Sequence, residues 1–79
     1  MKERIEEMLE KYTSKRAYRE SRVEKEKRTL ERFTKKYENG ECEFETLFNQ
    51  QKNYAIQQDL LIQLVEIEND LREILKGRN

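Results

Sequence analysis

The chain has 79 residues, of which 34% are hydrophobic and 43% charged, and its 17 basic and 17 acidic side chains give a net charge of zero. That length allows one structural unit, and so small an apolar share rarely stabilises a globule alone, so partners or self-association are expected. The sequence has no histidine, no cysteine pair and no glycine-rich phosphate loop. Their absence argues against an enzyme, a metal centre and a bound cofactor.

The first residues, Met1 to Glu6, are charged where a secretory signal would be apolar. The longest apolar stretch, 60–65, is far shorter than the roughly 18 residues that a membrane span needs. The single cysteine, Cys42, requires no oxidising compartment. We therefore expect no membrane span, and a cytoplasmic location if the chain works alone.

Two long helices are predicted because the chain has no proline and its two glycines stand at 40 and 77. The predicted fold is all-α: two long antiparallel helices that form a coiled-coil hairpin. It is one hairpin over residues 1–79, with helix 1 at about 2–38, a turn at 39–42 and helix 2 at about 43–76. Each arm would be roughly 50 Å long.

In the first arm, apolar residues follow a heptad register with alternating steps of four and three. They are Ile5, Leu9, Tyr12, Val23, Leu30, Phe33 and Tyr37. Arg16, Arg19 and Glu26 occupy seam positions of the same register. Two interpretations stay open: their stems line the seam while their heads reach water, or they fix the register or meet another subunit.

The central turn has recognisable chemistry. Asn39-Gly40 is suited to the left-handed conformation that ends a helix, and Cys42 stands where the N-cap of the second helix is expected. Glu41, Glu43 and Glu45 would lie favourably at that helix's positive end.

The second arm has a wider apolar stripe than a single opposing helix covers, which predicts a further helix on that side. The predicted seam comprises Phe44, Leu47, Gln51, Tyr54, Leu61, Leu64, Ile67, Leu71 and Ile74. The predicted helix-packing interface comprises Leu60, Leu61, Leu64, Val65, Ile67, Leu71, Ile74 and Leu75. Its expected partners are other helices of the same or identical chains, in a homo-oligomer. The carboxylates of Glu66, Glu68 and Asp70 are interpreted as a solvated face.

Charge is distributed unevenly along the chain. Residues 1–40 hold 13 Lys and Arg against 9 acids, a balance of +4, and residues 41–79 hold 4 against 8, a balance of −4. This asymmetry favours antiparallel pairing of the arms, although each exposed pair contributes only about 0.2–1 kcal/mol. A nucleic-acid interface on the basic arm is disfavoured, because the net charge is zero and the second arm is acidic.

Residues Tyr37-x-x-Gly40-x-x-x-Phe44-x-x-Leu47-Phe48-x-Gln50-Gln51 resemble the helix–turn–helix near the C-terminus of TolC-family outer-membrane efflux proteins. The resemblance implies a periplasmic hairpin that packs with others into a solute-conducting barrel and meets an adaptor protein at its tip. The implied tip residues are Tyr37, Asn39, Gly40, Glu41, Phe44 and Leu47. It also implies a location at the periplasmic face of the outer membrane. Here Cys42 replaces a small hydroxyl residue, and only Ala17 and Ala55 stand where the family is alanine-rich.

Two functional hypotheses follow. The first is a segment of a TolC-like efflux channel. The alternative is a stand-alone coiled-coil interaction module that forms a homo-oligomeric helical bundle.

Overall fold

The computed structural model describes residues 2–77, which form two helices, α1 (Lys2–Glu38) and α2 (Phe44–Gly77). The helices pack against each other along their length as an antiparallel pair, and residues 2–77 contain no strand. The predicted all-α helical hairpin is thus confirmed. The molecule is a rod of 59 × 15 × 13 Å. Of the predicted unit 1–79, Met1, Arg78 and Asn79 lie outside the described residues.

Helix α1 ends in a Schellman motif centred on Gly40. The Gly40 amide donates to the Tyr37 carbonyl at 3.0 Å, and the Glu41 amide donates to the Lys36 carbonyl at 2.7 Å. Gly40 has a φ of +73°, the left-handed conformation expected from the sequence. Otherwise unpaired carbonyls of the last turn are thereby satisfied, and the chain reverses direction within a few residues.

Helix α2 begins one residue later than predicted, and its N-cap is Glu43, not Cys42. The Glu43 carbonyl accepts the amides of Thr46 at 3.1 Å and Leu47 at 3.3 Å, as the first carbonyl of a helix does. The thiol of Cys42 instead donates to the Phe33 carbonyl at 3.6 Å. The prediction for Cys42 was wrong because the turn directs this side chain back toward α1.

The seam of α1 follows the predicted register. Every fourth or third residue from Ile5 to Phe33 is half-buried: 5, 9, 12, 16, 19, 23, 26, 30 and 33. Tyr37, the last predicted member, is exposed: it lies in the last turn of α1, and its ring contacts that of Phe44 at the start of α2.

The seam of α2 has a different register from the predicted one. Its buried and half-buried members are Leu47, Gln50, Tyr54, Gln57, Leu61, Leu64, Glu68, Leu71 and Leu75. Four predicted members, Phe44, Gln51, Ile67 and Ile74, are exposed instead. The cause is that Gln50, Gln57 and Glu68 pair with polar groups of α1 and so enter the seam, although the sequence predicts a solvated face for Glu68.

The core of the described hairpin is thin. Leu47 and Leu71 are its buried hydrophobic side chains, and α1 contributes no fully buried residue. The accessible surface is 6290 Å², against about 5200 Å² for a compact protein of the same mass. Half-buried seams and extra surface indicate that two helices alone leave much apolar area in contact with water.

Candidate functional site: an uncovered helical face

Polar cross-links fix how the two arms pair. The carboxylate of Glu68, only 4% exposed, accepts from Arg16, from the Thr13 hydroxyl at 3.2 Å and from Arg72 at 2.8 Å. Arg16 also bonds Glu20 on its own helix at 2.6 Å. Because its partners satisfy both oxygens, Glu68 is buried without leaving an unpaired charge, contrary to the predicted solvated role.

The same bonds shift the ionisation of Glu68. The hydrogen bond from Arg72 lowers the pKa of the Glu68 carboxyl below its ordinary value, and bonds from Arg16 and Thr13 add to this, while burial opposes it. Hydrogen bonding to Glu68 in turn raises the pKa of Arg16. Glu68 therefore stays ionised at neutral pH despite its burial.

Two further cross-links lie nearer the turn. The side-chain amide of Gln50 donates to the Glu26 carboxylate at 2.7 Å, and Arg19 donates to the side-chain Oε1 of Gln57 at 2.6 Å. All three polar seam residues of α1 therefore bond α2 within the chain. This favours the register-fixing interpretation over heads that reach water.

One apolar stripe of α2 is left uncovered by α1. Its exposed members are Ile56, Leu60, Ile67 and Ile74. They continue through Gln63 and Asp70 at alternating steps of four and three, so they share one side of the helix. We call these four apolar residues the α2 stripe. Its spacing is that of a second coiled-coil seam without its partner.

The predicted helix-packing residues divide between this stripe and the seam. Leu61, Leu64, Val65, Leu71 and Leu75 are buried or half-buried. Leu60, Ile67 and Ile74 are in the stripe, with exposures of 37 to 42%. Ile56 was missed, although its step of four from Leu60 was readable in the sequence.

The α2 stripe borders a groove whose opposite wall belongs to α1. Leu60 and Ile67 line it together with Lys15, Tyr18 and Arg19. The Lys15 and Tyr18 positions belong to an α1 stripe with the same alternating steps. Its basic members are Arg4, Lys11, Lys15, Arg22, Lys25, Arg32 and Lys36, and its other members are Met8, Tyr18 and Thr29. We call these ten residues the basic stripe, and none of them is acidic.

The outer edge of the same face, beyond the α2 stripe, is acidic. Asp59, Glu66 and Glu73 recur every seven residues and so project from one side of α2. By helical geometry they lie on the side of the stripe away from α1. The face therefore runs from a basic wall, across apolar side chains, to an acidic edge.

The predicted tip residues form a second exposed feature. The rings of Tyr37 and Phe44 meet edge to face with centroids 5.9 Å apart, and Phe44 stacks on Phe48 at 6.0 Å. All three rings are largely exposed. Asn39, Gly40 and Glu41 are also exposed, whereas Leu47 is buried in the seam at the start of α2. Phe48 was not among the predicted tip residues, although it is part of the cluster.

Within residues 2–77, no helix combines the length and the apolarity needed to cross a membrane, and no three acidic or cysteine side chains gather as a metal site would require. Comparison with protein-family models, curated proteins and solved structures finds no match to this chain.

Proposed function

We propose that the hairpin is a helix-packing module that binds further helices through the α2 stripe. The observation that carries this proposal is the exposure of Ile56, Leu60, Ile67 and Ile74 at coiled-coil spacing. Several exposed apolar side chains along one side of a helix usually mark an interaction site. The thin core gives the same indication, since covering this stripe would add the burial that two helices lack.

Two aspartate substitutions on α2 test the proposal. Ile67→Asp places a charge in the α2 stripe, whereas Ile62→Asp places one on the opposite side of the helix, where Ile62 is 55% exposed. Each tagged variant is expressed in the native host, and the apparent size of the chain is measured by gel filtration of a gentle lysate.

We expect the unsubstituted chain and Ile62→Asp to elute clearly ahead of Ile67→Asp, which should elute at the position of the monomeric rod. Aspartate at 67 loses the apolar burial of the isoleucine and must be desolvated when a helix covers the stripe, so it should disrupt assembly. Elution of all three at the monomer position, or assembly of Ile67→Asp at the unsubstituted size, would contradict the proposal.

A second candidate function is a hairpin segment of a TolC-like efflux channel. The exposed Tyr37–Phe44–Phe48 cluster beside the left-handed Gly40 favours it. In this candidate the α2 stripe packs against neighbouring helices of a periplasmic barrel. The tip contacts an adaptor protein through Tyr37, Asn39, Gly40, Glu41 and Phe44, with Leu47 buried in the seam at the start of α2.

The two candidates differ in where the hairpin is found. Immunoblotting of fractionated native cells with an antibody against the hairpin tests the channel candidate. A band in the outer-membrane fraction, carried by a much longer polypeptide, would support it. A 9.8 kDa band outside that fraction would exclude it and leave the stand-alone module.

A further inference from the structure

We propose that the helices covering the α2 stripe belong to a second copy of this chain, aligned so that both turns lie at the same end. In this dimer, α1 of each copy lies against α2 of the other. The inference rests on the proposed function, because it names the partner of the same stripe.

Charge selects this partner. The basic stripe on α1 contains no acid, and the outer edge of α2 presents Asp59, Glu66 and Glu73. A second copy supplies an acidic edge for the basic stripe and a basic stripe for the acidic edge. A two-fold axis applies the match twice, as an isologous interface requires.

Charge also selects the orientation. Rotation about an axis parallel to the helices brings each α1 over the other copy's α2 and leaves the turns together. Rotation about an axis across the rod reverses the second copy end for end and places basic stripe against basic stripe. Like-charge juxtaposition over a whole helix disfavours that alternative.

The side chains suit the selected contact. The hydrocarbon stems of Lys15 and Arg22 are long enough to lie over an apolar stripe such as Leu60 and Ile67, while their charged ends extend to an acidic rim. Tyr18, 56% exposed on the basic stripe, adds a large apolar ring to the same contact. The basic stripe is thus compatible with an apolar interface.

The area of the uncovered face is sufficient for a stable dimer. The face measures 59 Å by about the 15 Å width of the rod, which matches the roughly 800 Å² that each partner of a stable interface buries. Nucleic acid is the competing occupant for a basic stripe, but its phosphates would meet the α2 stripe and the acidic edge on the same face. A second copy complements the basic stripe, the α2 stripe and the acidic edge together.

The purified full-length chain provides the test. Its mass is measured by analytical ultracentrifugation from micromolar to millimolar concentration. Alignment is measured as the distance between two spin labels attached through Glu41→Cys at the exposed turn, with Cys42→Ser removing the native thiol. Turns at one end place the labels within roughly 30 Å, because neighbouring helix axes lie about 10 Å apart. End-for-end packing separates them by close to the 59 Å length.

We expect a mass of twice 9.8 kDa and the short distance. We also expect Ile67→Lys to weaken the dimer about thirty-fold or more, with Ile62→Lys unchanged, because a cation at position 67 would face the basic stripe of the other copy. A monomer throughout, a larger assembly, or the long distance would overturn the proposal. A purified monomer from a chain that assembles in the lysate would overturn only the second copy and leave the proposed function standing.

Discussion

At the scale of single residues, Gly40 is the position where backbone geometry alone decides the choice of amino acid. A β-carbon added there meets no atom within 4 Å, so the cost of a substitution comes from the φ of +73° and not from a clash. We predict that Gly40→Ala lowers the free energy of unfolding by about 1–2 kcal/mol, the strain of a left-handed L-residue.

Gly77→Ala is the matched control, because its added β-carbon also meets open space and its φ is not left-handed. Urea unfolding at one fixed protein concentration measures both variants. Equal stability of Gly40→Ala and the unsubstituted chain would show that Gly40 does not occupy the left-handed conformation.

Glu68 gives a pH dependence. Its folded-state pKa is lowered, so the stability it contributes is present above its ordinary pKa of about 4.5 and is lost as the pH falls through the lower folded value. We predict that melting temperatures of the unsubstituted chain fall on acidification below about pH 5, and that Glu68→Gln has a flatter profile. Glu68→Gln should also be less stable at pH 7, by about 1–2 kcal/mol, because bonds to a charged acceptor are weakened.

The control for this series is Glu10→Gln, which changes an exposed carboxylate of α1 outside both the seam and the basic stripe. Its acid profile should follow that of the unsubstituted chain. Parallel profiles for Glu68→Gln and Glu10→Gln would mean that the Arg16–Glu68–Arg72 cluster contributes no pH-dependent stability.

At the scale of the elements, the sequence predicts one helix better than the other. Helix α1 has a single apolar periodicity, so its seam from Ile5 to Phe33 could be read directly. Helix α2 has two overlapping stripes at the same spacing, and the sequence does not say which of them α1 covers. The deciding residues are Gln50 and Glu68, whose partners Glu26 and Arg16 lie 24 and 52 residues away. Apolar patterning carries no information about such distant polar pairs.

The sequence also predicts only part of the candidate site. The excess width of the apolar surface at 60–75 indicates a further partner, and Leu60, Ile67 and Ile74 are in that surface. The sequence order does not reveal that one side of α1 is basic and free of acids. The members of the basic stripe are three or four residues apart, and acids lie between them in the chain. Only the groove that joins Lys15 to Leu60 places that stripe beside the apolar one.

The α2 seam yields a prediction from two adjacent residues. Leu47 is 6% exposed in the seam, whereas Phe48 is 46% exposed at the tip. We predict that Leu47→Ala lowers the free energy of unfolding by about 2–4 kcal/mol, as cavity-forming substitutions do. Phe48→Ala should cost less than about 1 kcal/mol, as surface changes usually do. Urea unfolding of both variants measures the difference, and a larger loss for Phe48→Ala would contradict the register of α2.

At the scale of the whole molecule, the pairing of the two arms is well defined, but the arms bury little apolar surface between them. Polar cross-links and the Schellman turn define how the arms pair. Within residues 2–77 the buried hydrophobic side chains are Leu47 and Leu71, so the uncovered α2 stripe is where additional stability is available. A rod built this way is suited to assembly with other helices.

Thiol reactivity in intact native cells tests most directly whether other helices cover the α2 stripe. Ile67→Cys and Ile62→Cys, each with Cys42→Ser, place one thiol in the α2 stripe and one on the opposite side of α2. Labelling by a permeant maleimide is normalised to the same chain unfolded in denaturant. Helix packing on the stripe predicts that the thiol at 67 reacts several-fold more slowly than the thiol at 62. Equal rates would mean that the stripe stays open to water in the cell, and would contradict its role as a helix-binding face.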